Sequence, residues 1–122
     1  MNYILIALQC IVALSILNVW LIQNKKETPW RGGNATTIVE EFNEYGLPVW
    51  MCYSVGILKV LLAIGLILAI WYPDLRQVSA LGLAALLLGS IVMHVKISDP
   101  VKKSFPAFLF FCMCLYIAFP LF

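Results

Sequence analysis

Charge is what this chain has least of. Lys, Arg, Asp and Glu make up 11% of its 122 residues, and 63% are hydrophobic; a soluble domain carries roughly a quarter charged residues. Histidine occurs once, at His94, which excludes a haem-binding histidine pair and leaves too few ligands for a metal centre. The cysteines Cys10, Cys52, Cys112 and Cys114 show no CxxC spacing, so neither a zinc site nor a disulfide framework is expected. They read as small buried hydrophobes. No nucleophile elbow and no phosphate-binding glycine loop is present, so catalysis by this chain alone is not expected. A net charge of +2 offers nucleic acid no basic face to bind.

What the chain does have is length in its apolar runs. Tyr3 to Ile22, Pro48 to Tyr72, Val78 to Val95 and Phe105 to Leu121 are each close to the ~20 residues a helix needs to cross a bilayer. They show no strand-like alternation, and only helices or closed barrels span. The expected fold is all-α: a single membrane domain over 1–122, built as a four-transmembrane-helix bundle with helices at about 3–22, 48–72, 78–95 and 105–121. The first run has no basic n-region and no small-x-small cleavage site, so it reads as a retained helix. Lys25, Lys26 and Arg31 lie between the first two runs and Lys96, Lys102 and Lys103 between the last two, against Arg76 alone on the other side. Short basic loops stay in the cytoplasm, so both termini are expected outside, in the cytoplasmic membrane if the protein is bacterial.

Between the first two runs, "NKKETPWRGG" (24–33) is broken by Pro29, Gly32 and Gly33. "TTIVEEFNEYG" then predicts a short interfacial helix at about 37–45, with Thr37 and Glu40 as a capping box and Gly46 as the stop. Ile38, Phe42 and Tyr45 share one face, and Glu40, Glu41 and Glu44 are expected on the other. The sequon Asn34-Ala35-Thr36 falls on the predicted cytoplasmic side, which argues against its glycosylation. Gln9, Ser15 and Asn18 in the first run need neighbouring helices to satisfy them, and Trp20 marks its cytoplasmic end. In the third run Ala85-xxx-Gly89 is a small-xxx-small pattern suited to close helix packing. The aromatic, sulfur-rich fourth run is expected to face lipid or a second subunit.

Lys59 is the residue that these apolar runs do not explain. It lies eleven residues after Pro48, some 15 Å from either interface, beyond the reach of a snorkelling side chain. A central lysine costs about 2.5–3.5 kcal/mol on insertion scales, so it is expected to face the bundle interior and to have a partner. All six acids, Glu27, Glu40, Glu41, Glu44, Asp74 and Asp99, lie outside the four runs. Three resolutions are open. The interfacial helix folds in and brings Glu40, Glu41 or Glu44; or a largely neutral lysine bonds Ser15, Asn18 or Ser90; or the partner is a ligand, a lipid headgroup or another protein. His94, Lys96 and Asp99 form a polar cluster at the end of the third run, expected to lie far below Lys59.

The order of elements, with "FNEYGLPVW", "VGILKVLLAIGLIL" and "HVKISDPVKKSFPAF", resembles the DoxX-like family of small four-helix membrane proteins. The positions that match its pattern are Gly46, Pro48, Gly56, Lys59, His94 and Asp99. The resemblance implies no catalytic residue. It implies subunits of quinone-linked oxidoreductases, partners in oxidative-stress complexes, or assistants of receptor assembly. Two functions are therefore expected. One is an accessory protein binding a membrane partner protein or a lipid, anchored by Lys59 with Glu40, Glu41 and Glu44 at the mouth. The other is a quinone- or lipid-binding subunit, with Lys59 on a quinone carbonyl and Trp50 and Tyr53 nearby. A partner protein or a homo-oligomer is expected, in a lipid bilayer.

Overall fold

A computed structural model describes residues 3–22 and 37–120. Among them the chain is entirely helical. Four helices are long and apolar enough to cross a membrane. Helix α1 runs Tyr3–Leu17 and continues as one wide π turn over Asn18–Ile22. The short α2 is Ile38–Glu44, followed by α3 at Val49–Leu68, α4 at Asp74–Lys96 and α5 at Val101–Ala118. The Asn34 sequon, the broken segment 24–33 and its basic residues lie outside the described residues.

Local chemistry sets these boundaries. Thr37 caps α2, its hydroxyl accepting from the Glu40 backbone N–H at 3.1 Å. Gly46 stops that helix at φ 79°. Its N–H returns to the Asn43 carbonyl, and that of Leu47 to Phe42, the paired bonds of a Schellman ending. Helix α4 begins four residues earlier than the apolar run predicts. Asp74 sits in its first turn, where a carboxylate is favoured by the helix dipole, and Gln77 Nε2 donates to the Ala118 carbonyl at 3.3 Å. Helix α5 also starts early, after Pro100, and accommodates Pro106 inside it. Polarity had hidden these first turns, because hydropathy marks the lipid-immersed part of a helix and not its ends.

The packed core fills the half of the bundle remote from α2. Val12, Ala13 and Ile16 from α1 meet Ala63 and Leu66 of α3, Leu83 and Leu87 of α4, and Ile117 of α5. Gln9 joins them at no polar cost, donating from Nε2 to the Leu66 carbonyl at 2.9 Å. Close approach of α3 to α4 is made by Gly65, whose missing Cβ leaves room for Ser79, and by Gly82 beneath Leu62. The expected Ala85–Gly89 contact is not a helix seam. Nothing lies within 4 Å of a Cβ added at Gly89; both residues instead form the wall of a void. Outside, large apolar side chains such as Leu61, Val92 and Phe108 stay exposed, as a lipid solvent requires.

Candidate functional site

In the other half, beside α2, the helices stand apart around a cavity of about 370 Å³. That is within the size range of small-molecule sites. Its walls are mostly apolar, supplied by residues such as Ile16, Leu87, Met93 and Phe110. Into it project Ser15, Glu41, Tyr45, Lys59, Ser90 and His94.

Lys59 is 8% exposed and reaches the cavity from the middle of α3. Its Nζ donates to Ser90 Oγ at 3.5 Å and lies 5.6 Å from the centre of the Trp20 ring. The π turn ending α1 carries Trp20, and the ring packs against Gly56, where an added Cβ would lie 2.6 Å from it. Gly56 thus makes the space that lets an aromatic face stand beside the ammonium, a favourable cation–π arrangement. Of the expected partners, Ser90 meets Lys59, and one glutamate lines the same cavity.

That glutamate is Glu41, and its position corrects the expected outward face of α2. Tyr45 follows Glu41 by one helical turn, and its hydroxyl donates to Glu41 Oε1. The pair turns inward with Ile38, because positions i, i+3 and i+7 share a helix face as readily as i, i+4 and i+7. Glu40 and Glu44 are exposed and stay outside the cavity. Lys96 Nζ donates to the Tyr45 carbonyl at 3.0 Å, holding the end of α2 onto α4.

His94, 4% exposed, closes the site. Its Nδ1 lies 2.8 Å from Asp99 Oδ2, so Nδ1 carries the proton donated to that carboxylate. Its Nε2 faces Tyr45 Oη at 3.4 Å and Glu41 Oε1 at 4.0 Å. Asp99 reaches back because Ser98 takes a left-handed φ of 57°. The Ser98 N–H then returns to Val95 and that of Asp99 to His94, a second Schellman ending. His94 was expected far below Lys59. It lies one turn beyond Ser90, on the wall of the same cavity.

The remaining expected residues part company with Lys59. Trp50 and Tyr53, expected beside a quinone, are 67% and 61% exposed. Nine residues before Lys59 is half a rotation away on a 3.6-residue helix, and six is two-thirds of a turn. Tyr53 lines instead an outer groove with Gly56 and Trp20. Asn18 sits in the π turn outside the cavity, whereas Ser15 lines it. Sequence reasoning did not assign Tyr45, Trp20 or Lys103 to the site, and all three line it. For Tyr45 the signal was its i+4 spacing from Glu41. Among the described residues no group of three His, Cys, Asp or Glu is placed to hold a metal.

The "EYGLP" ending of α2, the lysine of "GILKV" and the "HVKISDP" turn thus converge on one cavity. The sequence pattern of the DoxX-like family matches residues 32–117, a span that contains every one of these pieces. The chain belongs to the DoxX-like family. No curated protein and no solved structure matches it. This DoxX-like protein is a multi-pass membrane protein in which Glu41, Tyr45, Lys59, Ser90 and His94 line one cavity of the bundle.

Proposed function

We propose that this DoxX-like protein is a non-catalytic accessory membrane protein that takes the polar head of a lipid- or quinone-like amphiphile into its bundle. The observation that carries this reading is Lys59. A buried ammonium with one long hydrogen bond, at 3.5 Å, stands at the wall of a mostly apolar cavity. Intramembrane cations are costly and are kept where they meet a counterpart. An amphiphile supplies both halves of a match: an oxygen acceptor for Lys59 and Ser90, and a chain for Ile16, Leu87 and Phe110. The basic loops support a reading in which the α2 end of the bundle, and so the cavity, faces the cytoplasm.

The test is gentle extraction from native membranes, then native mass spectrometry and an absorption spectrum of the intact particle. The expected result is a bound small molecule that is retained by the wild-type chain and lost in Lys59→Met, with the fold unchanged. A co-purifying protein around an empty bundle would instead make the cavity incidental and the chain a protein-binding partner.

A further inference from the structure

Two voids run side by side along α3, and one aromatic ring stands between them. Met51, Val55 and Lys59, four residues apart on one helix face, line the inner cavity. The neighbouring stripes line an outer groove of about 690 Å³. Cys52, Gly56 and Val60 form its floor, and the exposed Tyr53, Ile57 and Leu61 its rim. Its opposite wall comes from Trp20 and Leu21 in the π turn and from Ile38 and Val39 in α2. Trp20 and Ile38 line both voids. Over Gly56 the partition is a side chain and no backbone. The three atoms nearest an added Cβ are Cε3, Cζ3 and Cδ2 of the Trp20 ring.

Length and surroundings decide what lies in the groove. It sits on a helix of membrane-spanning length, behind large side chains exposed to the bilayer, so its occupant is hydrocarbon and not water. From Cys52 to Leu61 it follows nine residues of α3, about 14 Å of helix. One leaflet of a ~30 Å hydrocarbon layer is about 15 Å deep, so the groove has the length of one lipid chain. The inner cavity, at about 370 Å³, is near the lower end of small-molecule sites. It suits a head group and the first part of a chain. A chain that moves from lipid into the groove exchanges one apolar neighbour for another, with little gain or cost. The head is the part that gains, because Lys59 and Ser90 offer it partners that the hydrocarbon layer lacks.

We infer that the outer groove is the chain site of the amphiphile, whose head lies on Lys59 and Ser90 and whose single long chain leaves the cavity past Trp20. The indole turns off Gly56 to let the chain through. The ligand therefore comes sideways from the bilayer and returns to it the same way, without passing α2. No covalent bond changes. The inference rests on the amphiphile-binding reading above and names the ligand class: a membrane-dissolved molecule with a small oxygen-bearing head and one hydrocarbon chain.

The test uses the full chain in lipid nanodiscs and two photoactivatable forms of hexadecanol. One carries a diazirine close to the hydroxyl, the other at the far end of the chain, and mass spectrometry locates the labelled residues. Phe108, exposed on α5 and outside the lining of both voids, reports labelling from bulk lipid. The near-end probe is expected to mark Ser90 and Met93, and the far-end probe Tyr53 and Ile57. Unlabelled hexadecanol in about tenfold excess is expected to cut both signals about tenfold by mass action, with Phe108 unchanged. Lys59→Met is expected to abolish the part that competes, for both probes. Far-end labelling that competes at Leu87 or Phe110 instead would mean that the chain folds up inside the cavity. That result would overturn the inference and leave the amphiphile reading standing. Groove labelling that competes no better than Phe108, or that survives Lys59→Met, would overturn it too. If neither probe gives competed labelling in the cavity, both readings fall.

Discussion

At the scale of single residues, the site is built from side chains whose partners come from distant parts of the chain. Tyr45 links Glu41 on its own helix to His94, forty-nine residues away. Tyr45→Phe removes the hydroxyl from a part-buried pair, and is expected to lower stability by about 1 kcal/mol. Thermal unfolding in detergent measures this; an unchanged midpoint would mean that the Tyr45–Glu41 bond contributes nothing. Ser98 pays a left-handed φ to return Asp99 to His94. Glycine adopts that conformation freely, so Ser98→Gly is expected to raise stability, by up to about 1 kcal/mol, with the His94–Asp99 contact kept. A lower unfolding midpoint would show that the serine hydroxyl has a role that φ does not explain.

At the scale of elements, glycine does two opposite jobs. Gly56 sits under the Trp20 ring, and an added methyl would lie 2.6 Å from it. Gly56→Ala must push the ring off α3, at a cost of roughly 1–3 kcal/mol, and should shift the tryptophan emission as Trp20 leaves Lys59. Gly89 faces open space inside α4, so Gly89→Ala is expected to raise stability, by up to about 1 kcal/mol, because alanine loses less backbone freedom in a helix. If the two variants unfold alike, the assignment of one glycine to packing and the other to the cavity wall is wrong. The π turn at Asn18–Ile22 belongs to the same device. Such widened turns recur at functional sites, and this one carries Val19 and Trp20 to the cavity.

At the scale of the whole molecule, a tight core at one end and a void at the other divide the bundle into a packed half and an open half. With four spans, Tyr3 and Ala118 are expected on one side of the membrane, and the basic-loop rule leads us to expect that side to be the exterior. An alkaline-phosphatase fusion after Phe122 is therefore expected to be active, and a green-fluorescent-protein fusion there dark, in a bacterial host. The reverse pattern would invert the bundle and open the cavity toward the outside.

The sequence by itself determined the architecture. Four apolar runs of spanning length leave a backbone in lipid no choice but helix, and Thr37 and Gly46 delimit α2 through bonds to their near neighbours. It also singled out Lys59, because a charge at mid-bilayer depth contradicts its surroundings whatever the packing. His94 and Asp99 were legible as a cluster for the same reason: the turn that joins them is local. Only the tertiary structure decided who meets Lys59. Glu41 and not Glu40 or Glu44 turns inward, Trp20 lies against Gly56, and Ala85 and Gly89 open a void where the pattern promised a seam. Each of these depends on the rotation of one helix against another. Hydropathy in a lipid-immersed helix leaves that rotation almost unmarked, since the faces toward lipid and toward protein are equally apolar.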